Sequence, residues 1–331
     1  MEKKRVTLLI PCYNEQESIL PLYNALKELM DAQPQYNWDI LMVNDGSRDN
    51  TMMIIKQLRE KDKRIGYINL SRNFGKENAM LAGFDHAQGD CVVIMDADLQ
   101  HPPHAIPLML NKWEEGYQDV YGKRLSRGKE SWIRKKMSLS FYYFLQKSTR
   151  YDILPNVGDF RLLDRKCILA LRHLRETERY TKGMYAWIGF KKCGVDFETQ
   201  ERVGGVSHMN LGSLFHLAVD GITSFTVAPL KWSAYLGLLV SLIAFIFMCY
   251  TLINTLLYGD PVQGYPTLIT VILFIGGVQL LSLGIIGEYI GKIFNESKHR
   301  PVYVASEVET NDFSISKIIN DETITYSNNT I

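Results

Sequence analysis

Two long runs without a charged residue, AYLGLLVSLIAFIFMCYTLINTLLYG and TLITVILFIGGVQLLSLGIIG, restrict this chain more than any other feature. Each reaches or exceeds the roughly 20 residues that cross a bilayer core of about 30 Å as a helix. Helices buried in a soluble core rarely stay uncharged for so long, so both runs read as membrane spans. The loop between them, DPVQGYP, carries no Lys or Arg, whereas Lys231 precedes the first run and Lys292, Lys298 and Arg300 follow the second. Cations at the outer ends predict that both ends lie in the cytoplasm. A domain preceding the runs would then face the cytoplasm from a multi-pass protein of the inner or plasma membrane.

The rest of the chain is compositionally ordinary, and its net charge of +1 offers nucleic acid no electrostatic attraction. Its 331 residues suffice for one large core and an accessory region. Cys12, Cys91, Cys167, Cys193 and Cys249 are odd in number and have no paired-ligand spacing. They read as reduced thiols, not as disulfides or a zinc site. The start, MEKKRVTLLIPCYNE, has only a short apolar run ended by Pro11, which predicts a first strand and not a signal peptide.

Up to Lys231, short β-rich runs alternate with amphipathic segments. RVTLLI, WDILMV, RIGYINL and CVVIM read as strands. A helix opens near Ser18 with Pro21 in its first turn, a second is capped by Asp49 or Asn50, and KENAMLAGFDHA forms a third. Continuous apolar strands separated by helices predict an α/β fold whose parallel sheet is covered on both faces. There is no internal repeat. The reading divides the chain into a core over 1–130, an acceptor region with core completion over 131–230, two transmembrane helices over 231–295 and a flexible cytoplasmic tail over 296–331. That tail, VASEVETNDFSISKIINDETITYSNNTI, is polar, mildly acidic and without strong periodicity.

Ligands of such sheets bind beyond the carboxyl ends of the strands. The polar clusters PCYNE, NDGS, SRNFGK and DADLQ stand at those ends. Neither the dinucleotide glycine fingerprint nor a Walker loop is present, so a nucleotide would need other contacts. Asp45, beside Gly46 and Ser47, suits either a base or ribose hydroxyl or the backbone donors of its own turn. In CVVIMDADLQHPP, Asp96 and Asp98 leave a buried strand with no cation next to them in sequence. Two such carboxylates repel unless a positive charge joins them. Mg²⁺ or Mn²⁺ supplies that charge, held by one or two carboxylates and substrate phosphates, with Gln100 in reach. His101 and His104 read as loop structure more readily than as ligands.

PCYNE, NDGSRDNT, SRNFGKENAMLAGFDHA, DADLQHPP and GDFRLLDR, followed by two spans, resemble the polyprenyl-phosphate glycosyltransferases of glycosyltransferase family 2, over roughly residues 5 to 300. This group includes bactoprenol glucosyltransferases and is related to dolichyl-phosphate mannose synthase. The resemblance implies a Rossmann-like GT-A fold that binds nucleotide sugars. It further implies inverting transfer of a single hexose to undecaprenyl or polyprenyl phosphate, with UDP-glucose the first choice of donor. UDP-N-acetylglucosamine, UDP-galactose and GDP-mannose follow. Pro11, Tyr13, Glu15, Asp45 and Lys76 would line the nucleotide, and Asp96, Asp98 and Gln100 would handle metal and diphosphate. Asp159 stands where the proposed base of these enzymes sits. A phosphomonoester with a second pKa of about 6 is already largely anionic, so positioning is an equal alternative for Asp159.

The segment YGKRLSRGKESWIRKKMSLSFYYFLQ is basic and then aromatic, as an interfacial amphipathic helix would be. By resemblance, Arg124 and Arg134 clamp the donor diphosphate and the acceptor phosphate, with Lys136 in place of Arg134 if the register shifts. LGSLFHLAVDGITSFTV reads as a second interfacial helix. Arg202 matches an acceptor-phosphate position, but His208 and Met209 stand where relatives carry a lysine and an aromatic. A processive polysaccharide synthase would show a QxxRW motif, which is absent, and a non-catalytic scaffold would not need Asp96, Asp98 and Arg124. Gly276 and Gly277 permit close helix packing and a homo-oligomer. Two spans without internal Asp, Lys or Arg before Glu288 offer no path for a sugar, which predicts a separate flippase and a downstream transferase.

Overall fold

The computed structural model describes residues 3–124, 157–177, 179–198, 228–258 and 264–310. These fall into two units, one formed by the residues up to 198 with 301–310, the other by 228–300.

The first unit is built on an eight-stranded sheet of order β7-β5-β6-β4-β1-β2-β3-β8. Strands β1 (Arg5–Cys12), β2 (Asn37–Asn44), β3 (Ile65–Leu70) and β4 (Cys91–Ile94) lie parallel at its centre. Their burial is nearly continuous, as both faces are covered. Helix α1 (Ile19–Ala32) buries Ile19, Leu22, Leu26 and Leu29, a stripe at helical spacing. Helices α2 (Thr51–Lys61), α3 (Lys76–His86) and α4 (Ile106–Glu114) complete this part. The start of α2 is held by Asp49, whose carboxylate accepts from the Thr51 N–H at 3.0 Å, while Asn50 makes no side-chain cap.

The expectation of a parallel sheet holds only for that centre. Strand β6 (Val157–Asp164) runs antiparallel to both β4 and β5 (Asp119–Arg124), and β7 (Lys192–Phe197) pairs parallel with β5. Helices α5 (Arg165–His173) and α6 (Thr181–Trp187) connect β6 to β7. The reversal has a functional consequence. Because β6 enters from beyond the carboxyl end of β4, with Ile94 opposite Arg161, it brings Asp159 to the edge where Asp96 emerges. The charged groups of β5 and β6 that must be buried are paired: Arg161 binds both oxygens of Asp119, at 2.9 and 3.1 Å.

The second departure concerns the tail expected to be flexible from residue 296. Helical structure persists to Ser297, and Ala305–Glu309 forms an eighth strand, β8, antiparallel to β3. Tyr67 donates to Glu307 at 2.6 Å, Lys56 pairs with Glu307 at 2.6 Å, and Tyr303 donates to Asp85 at 2.8 Å. The polar side chains of β8 are what an edge strand tolerates.

The second unit contains two long helices, α7 (Ala228–Tyr258) and α8 (Tyr265–Ser297). Among the described residues one segment, Phe274–Ser297, is long and apolar enough to cross a membrane, and Trp232–Phe247 is a shorter apolar stretch. Leu238, Ile246 and Leu257 on α7 and Leu268, Leu280 and Ile293 on α8 are exposed. The two interfacial helices expected from sequence, with Arg134, Lys136 and Arg202, lie outside the described residues.

Candidate active site

The carboxyl ends of β1 to β4 open into a cleft of about 280 Å³. Pro11, Tyr13, Glu15, Asp45, Lys76, Asp96 and Asp98 all line it. These are most of the residues assigned to the nucleotide and metal from sequence. Gln100 does not line the cleft; its backbone N–H donates to Asp98 Oδ1 at 3.1 Å. Cys12, Asn73, Gly75, Ala79 and Ala97 also line it and were not singled out beforehand. Burial pushes the Cys12 thiol far above its ordinary value, so it is a neutral wall group.

Backbone and side-chain bonds between loops hold the rim. Asn14 N–H donates to Ser47 Oγ at 2.9 Å, Arg48 N–H donates to Asn14 Oδ1 at 2.9 Å, and Glu15 N–H donates to Thr51 Oγ1 at 2.8 Å. Tyr13, 42% exposed, stands at the opening, where an aromatic face is available for stacking. Gly46 is required at its turn. Its φ is +66°, and a Cβ there would lie 2.6 Å from Asn73 N.

Asp45 accepts from Phe74 N–H at 2.7 Å and Gly75 N–H at 2.9 Å. Burial raises its pKa, and these two bonds counteract the rise. One carboxylate thereby ties the loop after β3 to the end of β2. It also aims the residue that follows Gly75, because Lys76 is the first residue of α3. Lys76 Nζ lies 2.5 Å from Asp96 Oδ1 and 3.0 Å from Asp159 Oδ2. The expectation that Asp96 lacks a cationic partner is therefore corrected: the partner is remote in sequence and arrives through the loop geometry. Burial alone would lower the Lys76 pKa, but Asp96 and Asp159 outweigh it and hold the amine protonated. Burial alone would raise Asp159, yet Lys76 and then Lys182 pull it below its ordinary value.

Glu77 joins this cluster and was not anticipated. Burial and the charge of Asp159 raise its pKa, and it accepts from the Thr181 N–H at 3.0 Å and from the Thr181 hydroxyl. His101 is buried, stacks on Phe160 at 4.8 Å and accepts from the Asp96 N–H at 3.3 Å through Nδ1. It packs beneath the acidic turn, and His104 is exposed. Burial lowers the His101 pKa, against the opposing charge of Asp96 and with the charge of Arg124 acting in the same direction. Arg124 is the last residue of β5. Leu99, between Asp98 and Gln100, has φ +59° and packs against the core, a strained conformation that shapes the turn.

Asp96 and Asp98 offer hard oxygen donors at the cleft wall, and a buried Asp159 Oδ1 has no hydrogen-bond partner. Among the described residues no group of three or more His, Cys, Asp or Glu side chains converges as a complete cage. The donor set fits a divalent ion held by one or two carboxylates and completed by substrate phosphates and water.

Residues 7–171 match the family description "Glycosyl transferase family 2", and residues 228–293 match "GtrB C-terminal hairpin". The chain is 41% identical to the bactoprenol glucosyl transferase of Shigella phage SfV over 300 residues, covering 91% of this chain and 97% of that one. It is 43% identical to the putative glycosyltransferase CsbB of Bacillus subtilis (strain 168) over 307 residues, covering 93% of each. Among solved structures, mannosyl-3-phosphoglycerate synthase from Rubrobacter xylanophilus matches with TM-score 0.45 and 18% identity over 66% of this chain and 71% of that one. The extent of identity to the curated relatives, spanning both the cleft-bearing domain and the helical hairpin, establishes that this chain is a glycosyltransferase belonging to glycosyl transferase family 2.

Proposed function

We propose that this enzyme transfers one hexose, with inversion, from a nucleotide diphosphate donor to a polyprenyl phosphate at the cytoplasmic membrane face. UDP-glucose is the donor and undecaprenyl phosphate the acceptor. The observation that carries the proposal is the convergence of Tyr13, Glu15, Asp45, Lys76, Asp96 and Asp98 in one cleft. The name borne by the Shigella phage relative supports glucose and bactoprenol. Tyr13 offers a stacking face for the base, and Pro11 and Glu15 line the same wall.

Asp96 and Asp98 would hold Mg²⁺ or Mn²⁺, which when bound neutralises charge on the departing diphosphate. Lys76 and Arg124 supply cations for the same diphosphate. The acceptor oxygen attacks already ionised, so deprotonation contributes little. Asp159, ionised and held by Lys76, is a weak base, which favours a role in orienting sugar or acceptor. Arg134, Lys136 and Arg202 remain assigned to the acceptor phosphate by resemblance alone. Exposed apolar side chains along α7 and α8 favour two membrane spans, because such surface is costly in water. A homo-oligomer, a separate flippase and a downstream glycosyltransferase complete the proposal.

The test is a panel of labelled UDP-glucose, UDP-N-acetylglucosamine, UDP-galactose and GDP-mannose offered with undecaprenyl phosphate. UDP-glucose alone should give a lipid-linked monosaccharide. Turnover of GDP-mannose only would overturn the glucose assignment and leave the reaction class standing. Activity undiminished in excess chelator would remove the metal.

A further inference from the structure

We propose that Lys76 is the resident counter-ion of Asp96 and Asp159, and that it competes with a divalent cation for Asp96 until a nucleotide diphosphate takes up its ammonium group. This inference rests on the reading of Asp96 as a metal ligand and goes beyond it, by assigning the free enzyme an internal cation that must move.

The geometry points to exchange for three reasons. First, Lys76 Nζ bridges the two carboxylates at 2.5 and 3.0 Å, so in the free protein the charge of Asp96 is already compensated. A second cation on Asp96 would stand close to the ammonium, and like charges at such separations repel strongly in a partly buried site. Second, the three groups are not equally embedded. The side chains of Lys76 and Asp96 are 41% and 30% exposed, and that of Asp159 is 13% exposed. The lysine can therefore swing into the cleft without disturbing the core, while Asp159 stays in place. Third, the backbone supporting Lys76 is anchored independently of its side chain. Asp45 fixes the N–H groups of Phe74 and Gly75, and Gly75 adopts φ +92° immediately before the helix. The ammonium pivots from a fixed base at the first turn of α3, between the acidic wall and the open volume where a diphosphate would lie.

Two consequences distinguish this arrangement from a lysine that only contacts phosphate. Metal alone should bind the free enzyme weakly, and a nucleoside diphosphate should strengthen metal binding beyond its own direct ligation, because it gives the ammonium another anion. Departure of Lys76 also removes the directly paired cation from Asp159, leaving the more weakly acting Lys182. That carboxylate then becomes available to the sugar or acceptor only once the donor is in place, which orders donor before acceptor.

The experiment uses the full chain in nanodiscs and follows bound Mn²⁺ by electron paramagnetic resonance, with and without UDP. Without UDP, Lys76→Met should bind Mn²⁺ roughly tenfold more tightly than the native protein, since the competing charge is gone. Lys76→Arg, which keeps the charge, should stay close to native. The gain in Mn²⁺ affinity caused by UDP should shrink in Lys76→Met. If Lys76→Met is less stable, Mn²⁺ should still raise its melting temperature more than that of the native protein. Unchanged or weaker Mn²⁺ affinity in Lys76→Met, where UDP does recruit Mn²⁺ to the native protein, overturns this inference and leaves the metal reading intact. Absence of Mn²⁺ binding in every variant, with or without UDP, overturns both.

Discussion

At the scale of single residues, the cleft depends on a few positions whose side chains have no freedom to change. Gly46 combines a left-handed backbone with close approach to the strand-following loop that carries Lys76. Gly46→Ala must meet a backbone cost of about 1–2 kcal/mol and push against Asn73. It should lower the unfolding midpoint of the detergent-solubilised protein by about 2–8 °C. Donor affinity should fall with it, since the displaced loop aims Lys76; native affinity in a folded variant would contradict this. Asp98→Asn keeps size and loses charge, and should reduce turnover by about 100-fold or more, with donor affinity affected less. Steady-state kinetics separate the two effects. These residues show how far the sequence could be read. Asp45, Asp96 and Asp98 were visible because strand ends followed by acidic clusters are local patterns. The partner of Asp96 was not, because Lys76 and Asp96 meet only through the parallel strands that separate them. Asp45, legible as either a ligand group or a turn aspartate, bonds backbone donors from a different loop. Glu77 had no local signal at all: its neighbours are Asp159 and Thr181, far along the chain.

Among elements, the instructive one is β8. Its sequence, ASEVE, follows a membrane-type run and is polar enough to look like a tail, yet Val308 is buried and its neighbours bond β3 through side chains. A short edge strand carries little apolar signal, and its pairing partner lies more than 200 residues away. The reversed strand β6 was missed for a related reason, since strand direction is not encoded in an apolar run. The central strands and helices α1 to α3 were readable because their periodicity is local. For β8, Tyr67→Phe removes hydroxyl bonds to Glu307 at 2.6 Å and Glu309 at 3.2 Å. With about 1 kcal/mol at stake, amide exchange at Val308 should quicken roughly fivefold, and exchange in β1 should not change. The strand should also respond to acid. Burial would raise the pKa of Glu307, but Lys56 and Tyr67 bring it below its ordinary value. A carboxylate whose folded pKa is depressed stabilises above its unfolded value of about 4.3, and that contribution disappears as pH falls through the lower folded value. Exchange protection of β8, corrected for intrinsic rates, should stay level from pH 8 to about 5.5 and fall below about pH 4. Constant protection down to pH 3 would mean that Glu307 does not hold the strand.

At the scale of the whole molecule, the proposed topology makes the helical hairpin decide on which side of the membrane sugar is transferred. The match of residues 228–293 to a hairpin and the length of α7 and α8 agree with a chain that crosses and returns. A hairpin of two spans leaves the segments before and after it on one side. Lys231 before the first helix and Lys292, Lys298 and Arg300 at the end of the second predict that this side is the cytoplasm, while the connecting loop carries no cation. The pairing of β8 with β3 adds an independent constraint. The chain after α8 rejoins the sheet of the cleft-bearing domain, so a hairpin that failed to return would have to break that strand. A cysteine introduced at Gly264, between the helices, should therefore react with a membrane-impermeant maleimide added outside intact cells. A cysteine introduced at Asn50, on the rim above α2, should react only after permeabilisation. Native Cys193 and Cys249 are partly exposed and need replacement first, so that the label reports the introduced site alone. Labelling of the Asn50 position from outside would place the catalytic cleft on the wrong face and exclude cytoplasmic nucleotide sugars as its donors. Protection of both positions in intact cells, with both reactive after permeabilisation, would mean that the helices enter the membrane without crossing it. With the cleft inside and only Gly264 outside, product formed in sealed vesicles should stay on the donor face. The described helices hold no Asp, Glu, Lys, Arg or His between Lys231 and Tyr258 or between Tyr265 and Gly287, so a hydrated headgroup crossing there would find no charged side chain. Labelled headgroups appearing in the lumen at the rate of synthesis would show that this chain moves its own product.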